Sequence, residues 1–327
     1  MRFEEISAGF ITPGEEEFRI SFGPPPERLV LSVRSVGIIN PVWVRQRKEK
    51  KEMFEIVLGY SRFHAAKSLG LSPLPCRIIE HEIPDRDLLI FNIYDNLSHR
   101  ELNPIEKALS LKKCLRYYEK KKVVSEIMPC LGLKSSEHIL ERLIGILELP
   151  ESILLSIAKS EIDFSNALSF LRLEKEEQEA ILSLFKTLRL GVNLQKEFME
   201  NLFECSRRDH VPIHVLLEKE PFAGIINNDK EPENKKALRM RHALRRMRYP
   251  RLSDMEASFD TYMKSLCLPP EVALFPPPFF ENDEYRLNVR FKTQEELAGN
   301  LEKLKSLLES PHTQKWFHQT PINRISG

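Results

Sequence analysis

Asp95-Asn96-Leu97-Ser98-His99-Arg100-Glu101-Leu102-Asn103-Pro104-Ile105-Glu106 is where this chain changes architecture. The second half of the segment is a helix start. Asn103 is a capping residue, Pro104 suits the first helical position, where its missing N–H costs nothing, and Glu106 stands where a capping-box carboxylate reaches back. The first half crowds carboxylate, amide, imidazole and guanidinium groups together just before that helix. A junction between two architectures is a place where a ligand can control their arrangement.

Upstream of this segment, short apolar runs alternate with turns. Val42-Trp43-Val44, residues 54–58 and residues 76–79 are β-rich and of strand length. Helical patterns lie between them, over Glu27 to Val36 and over Ser61 to Leu69, the latter closed by Gly70. Alternation of this kind predicts a small α/β unit over residues 1–102. Downstream, apolar residues recur at helical spacing from Leu109 to Leu217, broken by short loops, which predicts an all-α domain over residues 103–222. The polar stretch at residues 227–234 reads as part of a linker over 223–236. Residues 237–327 then carry a basic helix and a small α+β module. Its strand is expected over Tyr285 to Phe291, and its last helix starts at a capping box of Thr293 and Glu296.

The 327 residues are 42% hydrophobic and 30% charged, enough for real cores. Lysine and arginine, 49 together, nearly balance 48 acids, leaving a net charge of +1 and no global field for polyanions. Contact with DNA therefore has to come from local patches. The five cysteines are scattered, without a CxxC pair, which argues against a zinc site or a disulfide framework. The start of the chain lacks a secretory pattern and no apolar run reaches membrane-spanning length, so the expectation is a cytoplasmic protein with no membrane partner.

Four features carry chemistry. In Gly59-Tyr60-Ser61-Arg62-Phe63-His64-Ala65, a glycine between strand and helix lets backbone N–H groups approach an anion, and Arg62 adds a forked donor for phosphate oxygens. An ordinary strand-to-helix turn has the same look. Asp95 offers a carboxylate for a magnesium held through water and phosphate, and Asn96 an amide for a base or phosphate; both also suit a purely local polar role. Residues 123–150 fit a helix-turn-helix, with Lys134, Ser135, Ser136 and Arg142 as the donors nearest its second helix. Glu137 and Glu141 lie on the same helix and Pro129 interrupts the first, so a structural helical pair is an equal reading. Arg241, Arg245 and Arg248 would share one helical face, the best nucleic-acid patch in the chain, or a solvated helix beside a linker.

Three segments, residues 37–45, residues 59–66 and residues 95–106, resemble in order and spacing the ParB-like N-terminal domain of chromosome and plasmid partition proteins (the ParB/RepB type). Leu149-Pro150-Glu151 and residues 162–167 resemble the helical DNA-binding domain that follows it there. The resemblance implies a sulfiredoxin-like α/β fold that binds CTP with magnesium. Gly59, Ser61 and Arg62 would face the phosphates, Asp95 would stand at the metal position, Asn96 would contact the nucleotide, and Gly37 and Pro41 would shape the wall beside the base. It also implies a homodimer on DNA, a nucleoid-associated location and a partition ATPase as partner. The chain departs from the pattern: Tyr60 and Ser61 replace an acid and an arginine at the turn, Asp95 replaces a glutamate, and His99 replaces an arginine. Each charged hydrogen bond contributes on the order of 1.5–3 kcal/mol, so these losses predict weaker triphosphate binding and at best a weak CTPase. An interaction module that has lost the nucleotide, or a small-molecule kinase on the same fold, remains an alternative; Ser61 in place of a cysteine excludes sulfiredoxin chemistry.

Overall fold

The computed structural model describes residues 2–12, 17–47, 50, 52–79, 82–282 and 284–308. The chain divides into two compact units, one of Met1–Phe185 with Leu190–Met199, the other of Lys186–Arg189 with Glu200–Gly327.

In the first unit, strands β1 (Arg2–Ile6), β2 (Ile11–Thr12), β3 (Val42–Gln46), β4 (Phe54–Leu58) and β5 (Leu74–Ile79) form one mixed sheet in the order β1-β5-β3-β4-β2. Alternation decides its faces. Val42 and Val44 of β3 and Cys76 and Ile78 of β5 are buried, while Trp43, Arg45 and Arg77 point the other way. Helix α1 (Glu27–Val36) ends at Gly37, whose φ of 73° suits glycine. Helix α2 (Tyr60–Ser68) follows β4 through Gly59 at φ 94°, and buries Phe63, Ala65 and Ala66. Helices α1 and α2 and strand β4 match the expected ones within a residue, β3 and β5 each run two residues longer, and β1 and β2 are not among the expected strands.

The fold departs from expectation at α3 (Asp85–His99). Leu88, Leu89, Asn92 and Ile93 form its buried face, and Asp85 and Asp87 favour its N-terminus. The run Leu88-Leu89-Ile90-Phe91 does not by itself distinguish helix from strand. Asp95 and Asn96 therefore sit in the last turns of a 15-residue helix. Helix α4 (Pro104–Cys114) starts with the expected capping box: Asn103 Oδ1 accepts from the Glu106 N–H at 3.0 Å, and Glu106 Oε2 accepts from the Asn103 N–H at 3.1 Å.

Short helices follow: α5 (Lys120–Lys122), a π-helical turn over Val123–Ile127, α6 (Met128–Cys130) and α7 (Glu137–Gly145). The widened turn lies just ahead of Pro129, which has no N–H for the ordinary bond. Gly132, at φ 70°, turns the chain back, and α7 buries Leu140 and Leu143 toward α4. Helices α8 (Glu151–Ala158), α9 (Phe164–Phe170), α10 (Lys175–Leu188) and α11 (Val192–Asp209) continue the series.

The second unit holds α12 (Ile213–Leu217), α13 (Phe222–Ile226), α14 (Glu233–Arg248), α15 (Pro250–Leu266), a hairpin of β6 (Val272–Phe275) and β7 (Arg286–Val289), and α16 (Gln294–Leu308). Much of the stretch expected to be a linker is helical: α13 fills its start, α14 begins at Glu233, and buried Lys236 donates from Nζ to the Ile226 carbonyl at 3.0 Å. Only residues 227–232 remain polar turn. Phe259, Tyr262, Leu266 and Phe280 form a small apolar cluster. At α16, Thr293 Oγ1 accepts from the Glu296 N–H, but the Glu296 carboxylate reaches the N–H of Lys292 rather than that of Thr293.

Candidate functional site: a polar cleft above the sheet

A cleft of about 780 Å³ opens between the β4–α2 turn, the end of α3, the start of α4 and the extended residues 20–24. It gathers Pro41, Gly59, Ser61, Arg62, Asp95 and Asn96 from three separate stretches of the sequence. Gly37 is not among the residues that line it and stops α1, its N–H bonding to the Val33 carbonyl.

The turn is built for close approach. A Cβ on Gly59 would lie 3.2 Å from three guanidinium atoms of Arg62, so only glycine lets this side chain fold back over the turn. Arg62 Nη1 donates to the carbonyls of Asn40 at 2.6 Å and Pro41 at 3.1 Å, and Nη2 lies 3.8 Å from Asp95 Oδ2. Burial pulls the Arg62 pKa down and the Asp95 charge opposes this. Asp95 Oδ1 also lies 3.9 Å from His99 Nε2. Together these give one carboxylate and one guanidinium beside the N-terminus of a nine-residue helix, where backbone N–H groups favour anions.

The other wall is a chain of hydrogen bonds. Asn92, buried, donates from Nδ2 to the carbonyls of Phe18 (2.6 Å) and Val57 (2.8 Å). Asn96 donates to the Asn92 carbonyl at 2.9 Å and to Asn92 Oδ1 at 2.8 Å, and its own oxygen accepts from Arg100 Nη2 at 3.0 Å. Arg100 grips Glu106 with both nitrogens, at 2.6 and 2.9 Å. Glu106 Oε1 further accepts from the Phe22 N–H at 3.3 Å. A continuous polar rail thus links β4, α3, residues 17–24 and the first turn of α4. A second tie fastens the same stretch to α4: Lys113 Nζ donates to the Glu17 carbonyl at 3.0 Å, and the Glu17 carboxylate accepts from Tyr117 at 2.7 Å and from Arg116. Burial raises the Glu17 pKa, but the Tyr117 and Arg116 hydrogen bonds outweigh it and leave the carboxyl below its usual value.

A nucleoside triphosphate with magnesium fits the donor set in outline. Asp95 is the open carboxylate, since Glu106 is held by Arg100, and a magnesium bound mainly through phosphate oxygens and water needs no more than one or two. Among the described residues no group of three His, Cys, Asp or Glu side chains could hold a metal by itself. Sequence reasoning missed Glu106 as more than a cap, and missed Arg77, Trp43 and residues 20–24 as cleft lining. The period-two pattern puts Trp43 and Arg77 outside the core, but only the sheet register brings them together.

The expected DNA contacts are placed as follows. Lys134, Ser135 and Ser136 lie in the turn before α7, and Arg142 is exposed on α7. On that helix Glu137 and Glu141 both accept from Lys120 Nζ, each at 2.8 Å, and Lys120 holds Glu141 below its usual pKa. On α14, Arg241 and Arg245 are exposed and Arg248 is half-buried. Arg245 bonds to Glu256 at 2.7 Å, and Arg248 bonds to Asn201 at 2.9 Å and covers the Tyr249 ring.

The first unit thus combines a mixed five-stranded sheet, a glycine turn opening onto a helix N-terminus and a capped helix leading out of the sheet. Residues 7–97 match the ParB N-terminal domain family. It is 29% identical over 223 residues to a nucleoid occlusion protein of Listeria monocytogenes, covering 68% of this chain and 71% of that one. It is 26% identical over 153 residues to a probable chromosome-partitioning protein ParB of Pseudomonas putida, spanning half of that relative's length. Among solved structures, a C-terminally truncated ParB of Caulobacter crescentus complexed with CTP-gamma-S covers 53% of this chain at 23% identity and a TM-score of 0.28. The Caulobacter protein complexed to the centromeric parS site covers 61% at 20% identity and a TM-score of 0.33. No helix among the described residues is long and apolar enough to cross a membrane.

Proposed function

We propose that this chain is a nucleotide-responsive, DNA-associated protein of the partition and nucleoid-organisation kind, with a CTP-type nucleotide and magnesium in the cleft. The observation that carries this reading is the convergence of Gly59, Ser61, Arg62, Asp95 and Asn96 on one cleft whose far wall is bonded to the first turn of α4. Arg62 would exchange the Asn40 and Pro41 carbonyls for phosphate oxygens, gaining charge-assisted bonds in place of neutral ones. Asp95, released from Arg62, would hold the metal that neutralises phosphate charge. Asn96 would turn its amide toward the ligand, loosening its bond to Arg100 and, through Arg100 and Glu106, the hold of residues 20–24 on α4. The names of the relatives support the DNA-associated half of the reading.

Lys134, Ser135, Ser136 and Arg142 are the proposed DNA contacts of the first unit, and Arg241, Arg245 and Arg248 those of the second. A homodimer, and an ATPase partner, belong to the same reading. Isothermal titration of the chain with each of the four nucleoside triphosphates plus magnesium, on wild type and on Arg62→Ala, tests it. Micromolar binding of at least one nucleotide that Arg62→Ala weakens by about tenfold or more is the expected result. Affinities no tighter than millimolar for all four would overturn the nucleotide reading. The interaction-module alternative draws on a specific observation, the engagement of Arg62 by two carbonyls and Asp95 within the protein itself, and the same titration decides between them.

A further inference from the structure

Helix α3 buries Leu88, Leu89, Asn92 and Ile93, and the one amide among them is only 2% exposed. A buried amide is costly unless its polar atoms find partners, and an aliphatic side chain would pack there without that cost. Asn92 finds its partners in a way that leaves its amide a single orientation. One end faces two backbone carbonyls, that of Phe18 at 2.6 Å and that of Val57, on β4, at 2.8 Å. An oxygen cannot face two carbonyl oxygens so closely. That end is therefore Nδ2, with both of its hydrogens spent. Asn92 Oδ1 is left turned toward Asn96, one helical turn further on.

The constraint passes to Asn96. The near end of its amide lies 2.8 Å from Asn92 Oδ1 and 2.9 Å from the Asn92 carbonyl, again two acceptors. This end too is Nδ2, with both hydrogens spent. Asn96 Oδ1 therefore points away from Asn92, and its partner, Arg100 Nη2 at 3.0 Å, can only donate. Reversing the Asn96 amide would set its oxygen against those two acceptors and leave them without a donor, a heavy cost in a buried network. Both asparagines line the cleft.

We propose that Asn92 is a positioning residue. Through it, the carbonyls of Phe18 and Val57 fix the polarity of Asn96, so that this wall of the cleft takes a hydrogen-bond donor and turns away a phosphate oxygen. Asn96 keeps its own donors on Asn92 while its oxygen passes from Arg100 to the incoming group. That group is a hydroxyl or amine of the nucleotide, or a water held by its magnesium. The phosphate oxygens are left to Arg62 and the turn at Gly59. This inference rests on the nucleotide reading above.

Hydrogen exchange of the side-chain amides, followed by NMR on the full chain, tests the orientation without any substitution. The Asn92 and Asn96 amide hydrogens are expected to exchange on the order of tenfold more slowly than those of exposed Asn40. They are expected to stay protected when the tightest-binding of the four nucleoside triphosphates is added with magnesium. Protection of Asn96 that is missing in the free chain, or lifted by the nucleotide, would overturn the inference while nucleotide binding stands. A double-mutant cycle in nucleotide affinity tests the positioning role. Asn96→Ala and Asn92→Ala are each expected to weaken binding on the order of tenfold, and the double variant no more than Asn96→Ala alone, because Asn92 acts through Asn96. Additive losses, or an Asn92→Ala that lowers only the unfolding temperature, would make Asn92 purely structural and overturn its role. Inorganic tripolyphosphate in place of the nucleotide finds the donor. Unchanged tripolyphosphate affinity in Asn96→Ala assigns the donor to sugar or base, and a loss that vanishes without magnesium assigns it to metal-bound water; either upholds the inference. A loss that persists without magnesium would put Asn96 on the phosphate itself and overturn it. Binding of none of the four triphosphates would overturn the nucleotide reading, whereas protection in the free chain stands or falls by itself.

Discussion

Arginines in the cleft and arginines on α14 look alike in the sequence and differ in what holds them. Arg62 rests on two backbone carbonyls with a carboxylate at the margin of contact, and Arg77 rests on aromatic faces. On α14, Arg239, Arg245 and Arg246 face Glu231, Glu256 and Asp254 at 2.7, 2.7 and 3.7 Å. An incoming anion improves on a carbonyl but must compete with a carboxylate. An anion therefore recruits an arginine held by carbonyls, such as Arg62, more readily than one held by a carboxylate at 2.7 Å, such as Arg245. Arg100 is the cleft's own exception, bound to Glu106 through both nitrogens, and it works as structure rather than as a donor in reserve.

The sharpest test of the contrast is that exception. Glu106 is almost fully buried, so Glu106→Gln leaves Arg100 without its charge partner and is expected to cost about 3 kcal/mol of stability, read as a lowered denaturation midpoint of the first unit. A loss below a few tenths would mean that the rail from β4 to α4 is not structural. Arg62→Ala comes next: a loss of nucleotide affinity between about tenfold and a hundredfold with little change in folding stability, measured by titration and thermal unfolding on one preparation. Stability falling with affinity would place Arg62 with Arg100 instead. Glu256→Gln releases Arg245 and is expected to steepen the salt dependence of duplex DNA binding by up to about 0.9 in log–log slope; an unchanged slope would show that Arg245 gains nothing from release. The smallest effect concerns Glu17, whose depressed pKa makes it stabilising above the ordinary carboxylate value. That contribution is complete at neutral pH and is lost as pH falls below about 4.3 and through the lowered folded value. Glu17→Gln should lower stability at neutral pH by about 1 kcal/mol, leave it nearly unchanged at acid pH, and so flatten the acid limb of the stability profile.

Local signals were legible in the sequence where local chemistry decides. Asn103, Pro104 and Glu106 marked the start of α4 because a cap is a property of neighbouring residues, and Gly59 marked the turn because few other residues tolerate its backbone. Pro41, Gly59, Ser61, Arg62, Asp95 and Asn96 do share one cleft. Helix α3 was not legible, since Leu88-Leu89-Ile90-Phe91 carries no clear period and the buried face that defines the helix depends on contact with β4. A glycine that ends a helix, as Gly37 does, and a glycine that lines a pocket have the same local signature. The pairing of Trp43 with Arg77 rests on strand order, β5 lying between β1 and β3, which no local pattern encodes. The partners of the α14 arginines were hidden for the same reason: Glu256 lies on the following helix, and only its packing brings it near Arg245.

Glu106 has a practical bearing on anyone who would exchange parts of this protein. Its carboxylate is shared by the N–H of Phe22, the guanidinium of Arg100 and the N–H of Asn103, while Glu17 is fastened to Tyr117 and Lys113 further along. A splice at residue 102 looks clean on paper, at the end of one architecture and the start of another. It would sever the bonds to Phe22, Arg100 and Glu17 at once, leaving only the Asn103 N–H on Glu106. A chimera that keeps its sheet and borrows foreign helices must carry 103–117 with the sheet, and the workable seam is the Tyr118–Glu119 step, past the last residue that reaches back to Glu17.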